Sequence, residues 1–405
     1  MSATGTRPRG FARGACAAAL LLGLSLTGCF SFHREAPRPG RTTVGSKSVG
    51  VPAETYGNFL IVETKWDKYG PYHFLIDTGS SSTLLTPELV ARYGETNFPV
   101  AEPEVRVKSA SGAATVLKPA VVRQLRLGKV VFEDVPVLVY DCASLSSVLG
   151  VKIDGILGFP LFRETILTLD YPKSRVILEG TTGPRKLIPG RTVAFNNSSK
   201  TPLIPVRLSD RTFIALIDSG SDATLGINPV GFDPKLIYAS GPTEGPTETT
   251  LTGDHQDQLV RLGEDLYVGD YLVSRPVAQL TDELSFIGGG ILKHFTVTFD
   301  QEHDQVTFHR EATEPVTTPP WRGAGISFAK SPAYWKVVGV VPGSPADAAD
   351  VQQGDLVTKI NGEPVETWDY LRFAALLANT DAAVFTFLNG TQETTKRISF
   401  VDLVP

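Results

Sequence analysis

Between Phe74 and Leu85 the chain reads FLIDTGSSSTLL: an apolar run, a turn at Asp77-Thr78-Gly79, three serines, then apolar positions again from Leu84. The pattern predicts a strand, a polar turn and a second short strand, and it leaves a carboxylate at the edge of an apolar run. An ionised Asp there is costly to bury unless something satisfies it. The same pattern returns in ALIDSGSDATL, Ala215 to Leu225, which matches FLIDTGSSSTL at seven of eleven positions with Asp218 on Asp77. A second pair of segments, ILGFPLFRETILTLDYPKSRVIL (Ile156 to Leu178) and FIGGGILKHFTVTFDQEHDQVTF (Phe286 to Phe308), aligns without gaps, placing Gly158 on Gly288 and Asp170 on Asp300. Each opens on an apolar, glycine-containing stretch and continues as alternating strands on either side of a turn. Duplication of this order predicts two similar β lobes in one chain.

The pattern breaks at REATEPVTTPPW (Arg310 to Trp321), where Pro and Thr replace the alternation and predict a linker. Beyond it, VVPGSPADAADVQQGDLVTKINGEPV (Val340 to Val365) predicts a turn, a short helix opened by Ser344-Pro345, then a strand and a hairpin around Asn361-Gly362. At the other end, Arg7, Arg9 and Arg13 precede an apolar run from Ala15 through Leu26, too short for a typical membrane span and ordered as a secretory signal. His33 to Gly50 then reads as a basic Pro/Gly/Ser tether. With 405 residues, 42% of them hydrophobic and 20% charged, the chain is long enough for two to three domains that bury their own cores. A net charge of -5 gives no indication of a nucleic-acid partner.

A paired Asp-Thr/Ser-Gly, each copy followed by an apolar-apolar-Gly segment (Ile156 to Gly158 and Phe286 to Gly288), resembles the aspartic proteases in their bilobal single-chain form, nearest to a fused retropepsin-like pair. The resemblance covers roughly Tyr56 to Arg310 and implies an all-β aspartic protease fold. It implies that Asp77 and Asp218 form a catalytic pair sharing one proton, without metal, cofactor or covalent intermediate. Both lie on one chain, so a monomer suffices for the site. Thr78 and Ser219 would reach across the lobe interface to the opposite backbone, and Gly79 and Gly220 would allow close approach. Ser80 and Ser221 would donate hydroxyl hydrogen bonds to the neighbouring carboxylates, lowering their pKa and favouring acidic or mildly acidic activity. Asp222 would bind substrate backbone. Ser109, Ala110, Ser111 and Gly112 would form the tip of a flap hairpin within Val107 to Leu117, and Tyr238 to Gly253 is its second-lobe counterpart or a surface loop.

Two further resemblances bracket this pair. Leu26-Thr27-Gly28-Cys29 resembles the bacterial lipobox, implying cleavage before Cys29, lipidation of its thiol and an outer-membrane anchor facing the periplasm. Cys16 would leave with the signal, so Cys142 alone remains and no intrachain disulfide forms. Arg322 to Ala378 resembles a bacterial PDZ domain. Gly323, Ala324 and Gly325 would capture a peptide's terminal carboxylate, and Ile326, Ser327 and Phe328 would open the edge strand that takes the peptide. The expected organisation is signal 1–28, tether 29–55, lobes 56–180 and 181–310, linker 311–320 and PDZ domain 321–405. The partners implied are peptide or protein substrates, peptide C-termini and, through Cys29, a membrane.

Other chemistries have less support. Asp254 to Asp257 and Glu302 to Asp304 combine His with acids but read as solvated loops rather than metal ligands. Neither a G-x-S-x-G elbow nor a Walker-type phosphate loop is present. The alternative to an endopeptidase is a non-catalytic envelope lipoprotein that holds peptides in the same cleft and groove.

Overall fold

The computed structural model describes residues 40–45, 48–94, 105–108, 114–182, 188–231, 233–238, 244–250, 253–331 and 333–405. The expected signal peptide, Cys29, the start of the tether and the flap tip Ser109 to Gly112 lie outside the described residues.

The two copies of the Asp motif occupy equivalent places in two β lobes. In the first, the strand Tyr72–Asp77 runs parallel to Gly155–Gly158, with Asp77 opposite Gly158. In the second, Arg211–Ile217 runs parallel to Phe286–Ile287, and the Asp218 N–H extends the ladder to the Ile287 carbonyl at 2.9 Å. The apolar-apolar-Gly segments are therefore the strands lying beside each motif. Their burial explains the continuous apolar runs: Phe74, Ile76, Leu157, Ile217 and Ile287 are fully buried.

Six consecutive antiparallel strands of a larger sheet join the lobes, in the order Arg191–Ala194, Gln305–His309, Thr296–Asp300, Thr165–Asp170, Arg175–Gly180, Ser48–Tyr56. At the centre of the six Thr168 faces Thr298, and their hydroxyls are 3.0 Å apart. These two threonines are aligned positions of the repeat, so the pseudo-two-fold axis passes between them. The core is continuous across this boundary, with Phe159 of the first lobe meeting Phe299 of the second at 5.3 Å, ring edge to face. Burial of one such side chain contributes about 2 kcal/mol. Two lobes sharing a core are not free to separate.

Two segments expected as flexible connections prove to be sheet. Ser48–Tyr56, all but its last residue in the predicted tether, alternates exposed and buried positions through Val49 and Val51, and pairs first with Arg175–Gly180 and then with Phe59–Thr64. Val316–Thr317, within the predicted linker, adds a parallel edge strand beside Tyr271–Ser274, with Val316 buried. Composition concealed both, Pro/Gly/Ser in the first and Pro/Thr in the second, because the pairing partners are remote in sequence.

The C-terminal module has its own core around Trp335, Val337, Val357, Phe385 and Phe387. Its sheet runs Ile326–Lys330, Trp335–Val340, Leu356–Ile360, Ala382–Asn389, Gln392–Ser399, leaving Ile326–Lys330 as an edge. Ser344 caps the short helix Pro345–Ala348, accepting from the Asp347 N–H. Asn361 and Gly362 both have positive φ (52° and 81°), as a tight hairpin turn requires. Val351 is buried in this core.

Candidate active site

The turn after each strand carries its aspartate to the lobe interface, where two hydroxyls lock the loops together. Thr78 Oγ1 donates to the Ile217 carbonyl at 2.7 Å and accepts from the Ser219 N–H at 3.0 Å. Reciprocally, Ser219 Oγ donates to the Ile76 carbonyl at 2.8 Å and accepts from the Thr78 N–H at 3.0 Å. Both side chains are fully buried, so these four bonds exchange with no water.

The lock sets the two carboxylates against each other. A Cβ added at Gly79 would lie 2.5 Å from Asp218 Oδ1, and one added at Gly220 would lie 2.3 Å from Asp77 Cγ. Any side chain at either position would displace the opposite carboxylate. The Gly79 and Ser80 N–H groups donate to Asp77 Oδ1 at 2.8 and 3.0 Å, and the Gly220 N–H donates to Asp218 Oδ1 at 2.9 Å. Asp77 and Asp218 keep partial access to solvent, unlike Thr78 and Ser219 between them.

Proximity makes simultaneous ionisation costly. Burial and then the Asp218 charge hold Asp77 well above the usual carboxylate range, against the opposing pull of the Gly79 N–H. Burial pushes Asp218 up to about 6, opposed by the Gly220 N–H and by its hydrogen bond with Asp77. Backbone donors alone favour the charge on Asp77, which accepts two against one. The two shifts are best read as successive steps of one pair holding a common proton.

The two serines differ from expectation. The Ser80 hydroxyl donates to the Ser82 carbonyl at 2.7 Å, and Ser221 Oγ accepts from the Ala223 N–H. Neither is directed at a carboxylate, because each closes a local turn and backbone N–H groups already occupy the inner oxygens. With no hydroxyl donor to oppose it, burial moves both pKa values up rather than down.

Asp222 lies in the second loop, where its carbonyl accepts from Asn58 Nδ2. Asn58 is a residue that sequence reading missed. It sits at the tip of the hairpin between Ser48–Tyr56 and Phe59–Thr64, and its Cβ crowds Gly289 so closely that a Cβ there would lie 2.6 Å away. Tyr171 was also missed: its buried hydroxyl has no partner among the described residues, and burial, then the charges on Asp218 and Asp77, raise its pKa. The only signal for Tyr171 was its place after Asp170, aligned on Gln301.

The strands Val105–Lys108 and Ala114–Leu127, expected to carry the flap, pair from Val105↔Leu117 to Lys108↔Ala114. In the second lobe, Glu244–Thr250 pairs with Gly253–Leu262, so the composition read as a flap or a loop forms a hairpin. Among the described residues no group of three His, Cys, Asp or Glu side chains converges on a metal position. Burial pushes the Cys142 thiol up to about 12, which removes it as a nucleophile at neutral pH.

Residues 62–161, spanning the first motif and its partner strand, match the aspartyl protease family model, and residues 336–388 match that of the PDZ domain. The chain carries an aspartyl protease domain and a PDZ domain. The chain is similar to the HtrA3 PDZ domain solved with a phage-derived ligand (FGRWV), at 19% identity over 20% of this chain and 88% of that one, with a TM-score of 0.18. It is also similar to a PDZ domain protein from Parabacteroides distasonis, at 18% identity over 21% of each chain, with a TM-score of 0.19. This chain thus covers about a fifth of the latter's length. No curated protein matches the chain.

In the PDZ domain, Gly323 to Gly325 leads into the edge strand Ile326–Lys330. The Ala324 and Gly325 carbonyls accept from Ala346 and Val341, while the Ala324 and Gly325 N–H groups meet no acceptor among the described residues. Beyond that loop, Ile326, Phe328, Phe373 and Leu377 are partly buried apolar side chains beside the core. Ser327 points the other way and is buried.

Proposed function

We infer that this protein is an aspartic endopeptidase of the bacterial cell envelope, exported by its N-terminal signal and anchored through lipidated Cys29 to the outer membrane, facing the periplasm. The observation that supports the enzymatic reading is the reciprocal Thr78/Ser219 lock, which holds two carboxylates close enough to share a proton. A scaffold without chemistry has no use for so costly an arrangement.

In the singly protonated pair, the ionised member takes a proton from a water lying between Asp77 and Asp218, while the protonated member donates to the scissile carbonyl. The resulting hydroxide adds to carbon, and the protonated carboxyl stabilises the tetrahedral oxygen. Transfer of the proton gained from water to the departing amine then breaks the C–N bond and restores one proton to the pair. Gly79, Ser80 and Gly220 hold the carboxylates by backbone N–H groups, which need no rearrangement between steps. Asp222 and the flap residues Ser109 to Gly112 would hold the substrate main chain. The PDZ domain would bind peptide C-termini at Gly323 to Phe328.

A peptide carrying a secondary hydroxyl in place of the scissile amide imitates the tetrahedral state and tests this reading. It should bind the wild-type protein at least about a hundredfold more tightly than the parent amide. Asp218→Asn should abolish that preference, and equal binding of both peptides to wild type would count against the proposal.

A further inference from the structure

The Pro/Thr stretch before the PDZ domain suggests a tethered arm, but the domain is fixed to both lobes. On the second lobe, Val404 is fully buried among Leu259, Val277 and Trp321. Trp321–Gly323 pairs with Val401–Val404, so this ribbon is part of the PDZ domain itself. The Val277 N–H donates to Thr318 Oγ1 at 3.0 Å, and Arg261 donates to the carbonyls of Thr318, Arg275 and Pro405. The segment Val401 to Pro405 is thereby occupied on lobe two and unavailable to the PDZ groove.

On the first lobe the contact is made by the PDZ groove's own helix. Asp369 caps Tyr370–Asn379, accepting from the Arg372 N–H at 2.7 Å. A Cβ on Gly150, whose φ of 74° ends the helix Ala143–Leu149, would lie 2.5 Å from Asp369 Cβ. Glycine is required there by both conformation and space. The charge of Asp369 also reaches Tyr56, whose proton is held chiefly by its hydrogen bond to Glu54, then by burial and the Glu54 charge.

The direction of the groove follows from its two ends. Arg322 donates to the Leu377 and Thr380 carbonyls, so the carboxylate loop lies at the helix C-terminus. Phe328 meets Phe373 at 6.0 Å, and the Lys330 ammonium lies 5.6 Å from the Phe373 ring. The strand Ile326–Lys330 thus runs toward the helix N-terminus at Asp369. A peptide with its carboxylate at Gly323 to Ile326 must run antiparallel to this strand, and its upstream chain leaves at the Lys330/Asp369 end. That end abuts Gly150 and lies near enough to Tyr56 for the Asp369 charge to act on it, and two residues beyond Tyr56 is Asn58, which touches Asp222 in the active-site loop.

We propose that the PDZ domain is a fixed extension of the protease cleft, which selects proteins with a free, apolar C-terminus and delivers the chain upstream of it toward Asp77 and Asp218 along Tyr56 and Asn58. The proposal rests on the endopeptidase reading for its consequence, cleavage at a set distance from the substrate's C-terminus. A tethered PDZ domain raises local concentration without setting such a distance. Glu244–Thr250 approaches Ile326–Lys330 and Trp335–Val340 without pairing with either, so the backbone hydrogen-bonding groups of the edge are not taken up by this segment.

The test uses the full-length chain and two peptides of one sequence ending in valine, one with a free carboxylate and one amidated, each with a benzophenone several residues upstream. On the Asp77→Asn protein, the free-acid peptide should crosslink within Tyr56 to Asn58 or beside Gly150, and the amide should lose roughly tenfold or more of that yield. Crosslinks confined to the PDZ domain, or equal labelling by the amide, would overturn the proposal. On the wild-type protein, inserting residues near the C-terminus should move the cut so that its distance from the terminus stays constant. Equal cleavage of acid and amide at an unmoved bond would overturn the proposal while leaving the endopeptidase intact. Crosslinking at Tyr56 with no cleavage of any peptide would support the delivery path and overturn the endopeptidase reading.

Discussion

Replacing Thr78 by valine preserves shape and removes one hydroxyl, which makes it a sensitive probe of the lobe interface. That hydroxyl serves two partners, the Ile217 carbonyl at 2.7 Å and the Ser219 N–H at 3.0 Å, and Thr78 and Ser219 are 1% and 0% exposed. With no water to replace it, the substitution leaves one donor and one acceptor orphaned. Each such group costs about 1–3 kcal/mol, so Thr78→Val should destabilise the protein by about 3 kcal/mol once partial relaxation is allowed. Ser80→Ala, whose hydroxyl closes a partly exposed turn, should cost no more than about 1 kcal/mol. Ser219→Ala should resemble Thr78→Val, and the pair should couple by about 1 kcal/mol or more, because each hydroxyl accepts from the other's N–H. Urea unfolding gives the free energies. Hydrogen exchange along Tyr72–Asp77, set against the Trp335–Val340 strand, separates the lobes from the PDZ domain. A loss below about 0.5 kcal/mol for Thr78→Val would refute the reasoning.

Three further outcomes follow from the same geometry. Activity should rise as pH increases through about 6, where the pair loses its first proton, and fall only once the second is also lost; a maximum near pH 3 by initial-rate measurement would contradict this. The raised Asp218 pKa means that the fold favours the protonated form: below the unfolded-state value the group is neutral in both the folded and unfolded states, the penalty grows as pH rises from about 4 to about 6, and it is constant above that. Asp218→Asn should therefore stabilise the protein at pH 8 by up to about 3 kcal/mol, a gain that vanishes by about pH 4 in parallel urea titrations and that a pH-independent difference would exclude. Val404→Lys should cost about 2 kcal/mol at its buried site and speed hydrogen exchange in Gly253–Leu262, while the Trp335–Val340 strand stays protected; unchanged exchange there would argue against the docking contact.

The duplicated motif was legible because its chemistry and its fold impose the same residues. Asp77, Thr78 and Gly79 recur as Asp218, Ser219 and Gly220 because each triplet needs a carboxylate, a cross-lobe hydroxyl and open space against the opposite carboxylate. The apolar-apolar-Gly segments were legible as strands because they are buried on both faces. Hydroxyl direction was not: Ser80 has a carboxylate and a carbonyl within its reach, and only the turn geometry selects Ser82. Nor was Asn58, whose contact with Asp222 spans 164 positions and leaves no local pattern. The linker misled for the opposite reason, since Val316–Thr317 is too short to show alternation yet long enough to pair with Tyr271–Ser274. The PDZ groove was readable from its loop and strand, whereas its attachment through Gly150 and Val404 depends on surfaces that meet only in the folded chain.

The most direct test of the account is cleavage of a diverse peptide mixture between about pH 4 and 9 by wild type, Asp77→Asn and Asp218→Asn, with product ends identified by mass spectrometry. The expected result is discrete cuts by wild type, strongest above pH 6, and none by either variant although both remain folded. Cleavage that survives in either variant, or no cleavage by a folded wild-type protein at any pH, would contradict a shared Asp77/Asp218 pair as the seat of catalysis.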